Sequence, residues 1–148
     1  MRRISTEVVI DASPGDVWSV LTDFERFPEW NPFIVKAAGR VAVGEQLDLT
    51  FRQASGRHMG IKPTVVAAEP GRVLRWRGRL WLPGIFDGEH IFELSERPEG
   101  GTLLVQSETF AGLLVPFTQK VVRETVGRFI DLNEALRTRV ESGAGKTA

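Results

Sequence analysis

An α+β fold, an antiparallel sheet closed by one long C-terminal helix, is predicted by three features of the sequence. First, Pro116 to Val140 has helical periodicity. At ~100° per residue, Val122, Thr125, Val126, Phe129, Leu136 and Val140 fall on one side, and Lys120, Arg123, Glu124, Arg128, Asp131, Arg137 and Arg139 lie mostly on the other. Second, turn residues punctuate Phe33 to Phe110 at hairpin spacing: Gly44-Glu45, Ser55-Gly56, Pro70-Gly71, Pro83-Gly84 and Gly100-Gly101. Third, a strand-like opening runs straight into a helix-start signal at Ser13-Pro14.

Ile4 to Ile10 alternates as a first strand. Ser13 then suits an N-cap, and Pro14 the first helical position, where its missing N–H costs nothing. Asp16, three residues on, favours the positive end of the helix. Val17, Trp18, Val20, Leu21 and Phe24 make its apolar face, and Pro28 and Pro32 bracket a second short turn carrying Phe27 and Trp30. About six antiparallel strands follow, giving about seven in all, with one face apolar and the other wet. The last helix spans about six turns, or ~35 Å. Its apolar stripe, at ~1.5–3 kcal/mol per large buried side chain, contributes on the order of 10 kcal/mol and needs a long partner surface. The sheet supplies it.

Hairpin arithmetic goes further. A loop around Leu82-Pro83-Gly84 pairs Leu80 with Phe86, Gly78 with Gly88, Trp76 with His90 and Leu74 with Phe92. On the wet face, the same register sets Arg79 opposite Asp87 and Arg77 opposite Glu89, as opposite charges favour. A turn at Pro98–Gly101 pairs Glu96 with Thr102, Phe92 with Gln106 and His90 with Glu108. Both registers put Trp76, His90, Gln106, Glu108 and Phe110 on the inner face, with Gly78 and Gly88 facing one another. A well-packed core seldom combines two facing glycines with three polar side chains. The expectation is a cavity beside the glycines.

Composition excludes several classes. Lysine plus arginine and aspartate plus glutamate number 19 each, so no basic footprint for nucleic acid or an anionic membrane exists. The chain lacks cysteine, which removes disulfides, thiolate zinc sites and thiol nucleophiles, and its two histidines are far apart, so neither metal nor cofactor is expected. Met1-Arg2-Arg3 leads into alternation rather than an apolar signal segment, and no run approaches the ~20 residues of a membrane span. A single domain over 1–140, a disordered tail over 141–148 and a cytoplasmic location are expected. Gly143-Ala144-Gly145-Lys146-Thr147 is no phosphate loop, because the earlier glycine it needs would stand at Val140.

The opening Ile10-Asp11-Ala12-Ser13-Pro14-Gly15-Asp16-Val17-Trp18, with Leu21-Thr22-Asp23 and Phe27-Pro28-Glu29-Trp30-Asn31-Pro32, resembles that of polyketide cyclase/dehydratase-like proteins. These belong to the superfamily (SRPBCC) of START lipid-transfer domains and the birch-pollen allergen. Gly88-Glu89-His90-Ile91-Phe92-Glu93-Leu94, Gly101-Thr102 and Glu108-Thr109-Phe110-Ala111-Gly112-Leu113-Leu114 resemble its late strands. The resemblance implies the helix-grip fold, with an apolar or amphipathic small molecule held between helix and sheet. It implies no fixed chemistry, because one fold hosts many functions.

The site expected on these grounds has walls from Trp30, Phe51, Trp76, Phe92, Phe110, Val126 and Phe129, space at Gly78 and Gly88, and polar contacts from His90, Gln106, Glu108 and Asn133. Ligand contact is the main role expected of the His90–Glu108 pair. The alternatives are a cyclase/dehydratase-type enzyme, with His90 as acid/base oriented by Glu108, and a protein-interaction module. The hydrophobic ligand is the expected partner, in a monomer or homodimer. His58, near the Ser55–Arg57 turn, is expected to face solvent, and the arginine row to be a solvated charge ladder.

Overall fold

The structure is a computed structural model, and it describes residues 2–53, 55–80, 86–111 and 119–144. Strand β1 (Arg2–Ile10) leads into helix α1 (Pro14–Leu21), a 3-10 turn (Phe24–Arg26) and helix α2 (Phe27–Trp30). Strands β2 (Ile34–Ala38), β3 (Asp48–Arg52), β4 (His58–Ile61), β5 (Thr64–Glu69), β6 (Val73–Leu80), β7 (Phe86–Glu96) and β8 (Thr102–Ala111) follow. Helix α3 (Gln119–Arg139) passes into a π-helical turn (Val140–Ala144). Past Val140 the chain turns once more until Gly143, at φ 93°, leaves helical geometry, and the Glu141 carboxylate accepts a 2.9 Å hydrogen bond from the Asp11 backbone N–H, tying the end of α3 to the end of β1. The Leu82–Gly84 turn, the approach to α3 from Pro116, the Gly112–Leu114 stretch, the tail from 145 and the side chain of Val122 lie outside the described residues.

α1 starts as its sequence dictates. Ser13 Oγ accepts from the Asp16 N–H at 3.2 Å, and Pro14 occupies the first turn. Eight strands form where about seven are expected, because Lys62-Pro63 divides one of the anticipated strands into β4 and β5. The proline has no N–H to give a ladder, but its carbonyl still accepts from Leu47 N–H at 2.8 Å.

Two antiparallel sheets result, ordered β1-β8-β7-β6-β5 and β2-β3-β4. A bridge between Gln46 and Thr64 joins them, with Gly44 N–H donating to Val65 O at 2.8 Å and Val65 N–H to Glu45 O at 2.9 Å, so together they form one curved surface. Both expected hairpin registers are present, with Gly78 opposite Gly88, Trp76 opposite His90, Phe92 opposite Gln106 and His90 opposite Glu108. On the wet face, Arg77 Nη2 and Arg75 Nε lie 2.9 and 3.3 Å from the Glu89 carboxylate. Such exposed pairs favour the register more than they stabilise the fold.

The concave side holds two apolar clusters. The larger gathers Val17, Val20 and Leu21 of α1, Leu74, Leu94 and Leu104 of the sheet, and Leu132, Leu136 and Val140 of the last helix. The smaller consists of Ile4, Phe110 and Phe129, with Phe33 and Val126 packed against it. Along α3, the inward side changes from fully buried at Leu132 and Leu136 to half-buried at Thr125 and Val126. The C-terminal half of α3 is gripped. Thr125 and Val126, the turn before Phe129, are less covered.

Candidate ligand-binding site

A row of polar side chains runs beneath Phe129, where the two clusters meet. Alternation along β7 and β8 turns His90, Gln106 and Glu108 inward, and helical spacing sets Asn133 one turn beyond Phe129. Glu108 Oε2 lies 3.1 Å from His90 Nδ1. His90 Nε2 lies 2.9 Å from Gln106 Oε1. Gln106 Nε2 donates to Asn133 Oδ1 at 2.7 Å and to the Phe129 carbonyl at 3.3 Å. Asn133 Nδ2 donates to Thr6 Oγ1 at 2.9 Å, and that hydroxyl donates to the Gln106 carbonyl at 3.3 Å. His90, Gln106 and Asn133 are buried, where a satisfied amide stabilises and an orphaned one costs about 1–3 kcal/mol.

Rings enclose the imidazole. Trp76 stacks on His90, with centroids 5.0 Å apart and planes 21° from parallel; Phe92 and Phe129 stand 4.7 and 4.8 Å away. Phe33 extends this wall, 5.8 Å from Phe129 and 5.0 Å from Phe51. The row is open at Glu108, whose side chain faces inward yet keeps 16% exposure. Its Oε2 is buried and, although close to Nδ1, makes no aligned hydrogen bond.

The structure thus brings Phe51, Trp76, His90, Phe92, Gln106, Glu108, Phe110, Val126, Phe129 and Asn133 around one region of the concave face. Two expectations need correction. Trp30 lies elsewhere: its ring packs edge-on against Phe27 at 5.3 Å and lines an outer groove of about 400 Å³ with Glu134, Ala135, Thr138, Arg139 and Ser142. The same side chain packs against the edge of the larger apolar cluster. Nor do the facing glycines frame an open space. A Cβ at Gly78 would sit 3.6 Å from both Ile61 and Pro63, because the β4–β5 corner folds over it. At Gly88, a Cβ would meet Glu108 Oε1 at 2.8 Å, because that carboxylate lies across the glycine.

Sequence reading missed Thr6 and Phe33. Thr6 was detectable, standing in the inward phase between Ile4 and Val8. Phe33 gave no such signal, since it precedes β2 and is oriented by Asn31, whose Oδ1 accepts from the Phe33 and Ile34 N–H groups at 3.0 and 2.8 Å. Among the described residues, no three His, Asp or Glu side chains gather as a metal set, and no helix is long and apolar enough to cross a membrane. His58 is exposed at the start of β4.

The family model described as polyketide cyclase/dehydrase and lipid transport matches residues 1–141. The chain belongs to that family. Solved structures of the same fold include protein MLL2253 from Mesorhizobium loti, 22% identical with a TM-score of 0.76 over 95% of this chain and 98% of that one. The Zhui aromatase/cyclase from Streptomyces sp. R1128 is 16% identical, with a TM-score of 0.76 over 95% and 93%. A START superfamily protein from Mycobacterium smegmatis is 23% identical, with a TM-score of 0.70 over 95% and 97%. No curated protein sequence matches the chain. Family membership supports ligand binding or cyclase chemistry in general terms, and the helix-grip architecture agrees with it.

Proposed function

We propose that the protein binds a hydrophobic or amphipathic small molecule, lipid- or polyketide-like, between the N-terminal half of α3 and the inner face of β6–β8. One observation carries this reading: a buried polar row, walled by aromatic rings, ends at a partly exposed inward carboxylate on the side of the half-buried Thr125 and Val126. Mostly apolar walls with a few convergent polar groups are the usual composition of a small-molecule site. Native mass spectrometry of the purified chain tests it, the expected result being a lipid-like mass released on denaturation. Absence of such a mass, together with no uptake of an apolar fluorescent probe, overturns it.

A second reading is a cyclase/dehydratase-type enzyme. It is favoured by the 3.1 Å approach of His90 to Glu108 and by the similarity to an aromatase/cyclase. His90→Gln separates the two. Turnover of a polyketide substrate lost with binding intact supports the enzyme; weakened binding supports the binding protein.

A further inference from the structure

The direction of the polar row is set by a backbone carbonyl. Phe129 O can only accept, so the Gln106 atom 3.3 Å from it is the amide nitrogen. Turning over both the Gln106 and Asn133 amides would preserve the bond between them. It would also set Gln106 Oε1 against Phe129 O, acceptor against acceptor. Gln106 Oε1 therefore faces His90 Nε2, and that nitrogen carries a hydrogen.

Two consequences follow for the imidazole. Its Nε2 is occupied by Gln106 and its Nδ1 is turned to Glu108 Oε2, while Trp76, Phe92 and Phe129 surround the ring. No nitrogen of His90 is left for a ligand. Nδ1 stands 3.1 Å from Oε2 without an aligned hydrogen bond, so the contact fixes where the Glu108 side chain sits. Oε1 is the oxygen of Glu108 turned away from the imidazole, and a carboxylate oxygen accepts hydrogen bonds. It lies over Gly88, in a side chain that keeps 16% exposure.

We propose that Glu108 Oε1, rather than His90, is the polar atom that meets the ligand, and that it selects an apolar molecule bearing a hydroxyl donor over one bearing a carboxylate. His90 is then a positioning residue, its Nδ1 packed 3.1 Å from the other oxygen of Glu108. The proposal rests on the binding reading above and deepens it, adding the class of ligand and the atom that chooses it. A phenol or alcohol satisfies an acceptor, an ether offers nothing to it, and an anion is repelled by it.

Calorimetric titration of the full chain with 2-naphthol, 2-methoxynaphthalene and 2-naphthoate tests this. The expected result is a preference for 2-naphthol of about tenfold over both others, the size of one net hydrogen bond. Glu108→Met, which removes the acceptor, is expected to bring 2-naphthol and 2-methoxynaphthalene within about threefold of one another. Glu108→Gln is expected to keep the preference for 2-naphthol over the ether, because its amide donates to Nδ1 and leaves its oxygen outward. Should Glu108→Met not fold, Gly88→Ala displaces the same carboxylate and is expected to reduce the preference. Equal binding of the three compounds by the native chain, or an unchanged preference in the folded Glu108→Met variant (in Gly88→Ala where Met does not fold), overturns the role of Glu108 and leaves the binding reading standing. No binding of any of the three overturns both.

Discussion

The Glu108 carboxylate lies across Gly88, its Oε1 2.8 Å from where a Cβ would stand. A glycine on an inner strand face here makes room for a diagonal neighbour's charged group rather than for a guest. Gly88→Ala is therefore expected to swing the carboxylate away and break its 3.1 Å approach to His90 Nδ1. Because the displaced atoms are the far end of a flexible side chain, the cost is expected to be about 1 kcal/mol, at the low end of overpacking penalties. Ring nitrogen shifts of His90 by NMR, beside a thermal melt, check both halves. An unchanged His90 spectrum would show that the carboxylate had kept its place.

Gly78 behaves differently. Its missing Cβ would make ordinary contact with Ile61 and Pro63 at 3.6 Å, and its backbone is not in the left-handed region. Gly78→Ala is expected to be neutral or to stabilise by up to about 1 kcal/mol through the unfolded chain. Gly78→Leu is expected to force the β4–β5 corner apart and cost about 1–3 kcal/mol. Denaturant midpoints of the two variants decide it, and a Leu variant as stable as Ala would mean that open space exists there after all.

Trp30 offers a control on where the site lies. It packs on Phe27 and lines the outer side of α3, away from the polar row. Trp30→Ala is expected to lower stability by about 2 kcal/mol, below the range for a fully buried tryptophan. Affinity for an apolar probe is expected to stay within about twofold, a difference under 0.5 kcal/mol. Loss of probe binding in a folded Trp30→Ala would move the site to the outer groove.

Much of the fold was legible because period and turn spacing are local. Two independent hairpins put His90 on one row with Trp76 and Glu108, and that register is what the structure has. What the sequence withheld depends on how elements cross one another. Alternation told that Gly78 and Gly88 share the inner face. It did not tell that the β4–β5 corner folds over one, or that a carboxylate two positions away leans across the other. Likewise the helical stripe placed Asn133 near Phe129, whereas its partners Gln106 and Thr6, from β8 and β1, emerge only once the helix is seated. Trp30 was misplaced for the same reason: a short helix gives no indication of which way its apolar face turns.

The Gln106–Asn133 bond, 2.7 Å long and buried, is the joint between sheet and helix, and its two amides depend on one another. Gln106→Leu removes the acceptor of His90 Nε2 and the donor to Asn133, and is expected to cost about 2–4 kcal/mol, more than one orphaned group. Asn133→Leu orphans one donor of Gln106, which still has Phe129 O, and Thr6 keeps the Gln106 carbonyl; it is expected to cost about 1–2 kcal/mol. Replacing both leaves no mismatched amide between helix and strand, so the double variant is expected to be more stable than the sum predicts, by about 1–2 kcal/mol. Chemical denaturation of the four proteins in the cycle measures that coupling. Strict additivity would mean that the two amides do not see each other in solution. The fixed direction of the row, and with it the donor hydrogen on His90 Nε2, would then lose its support.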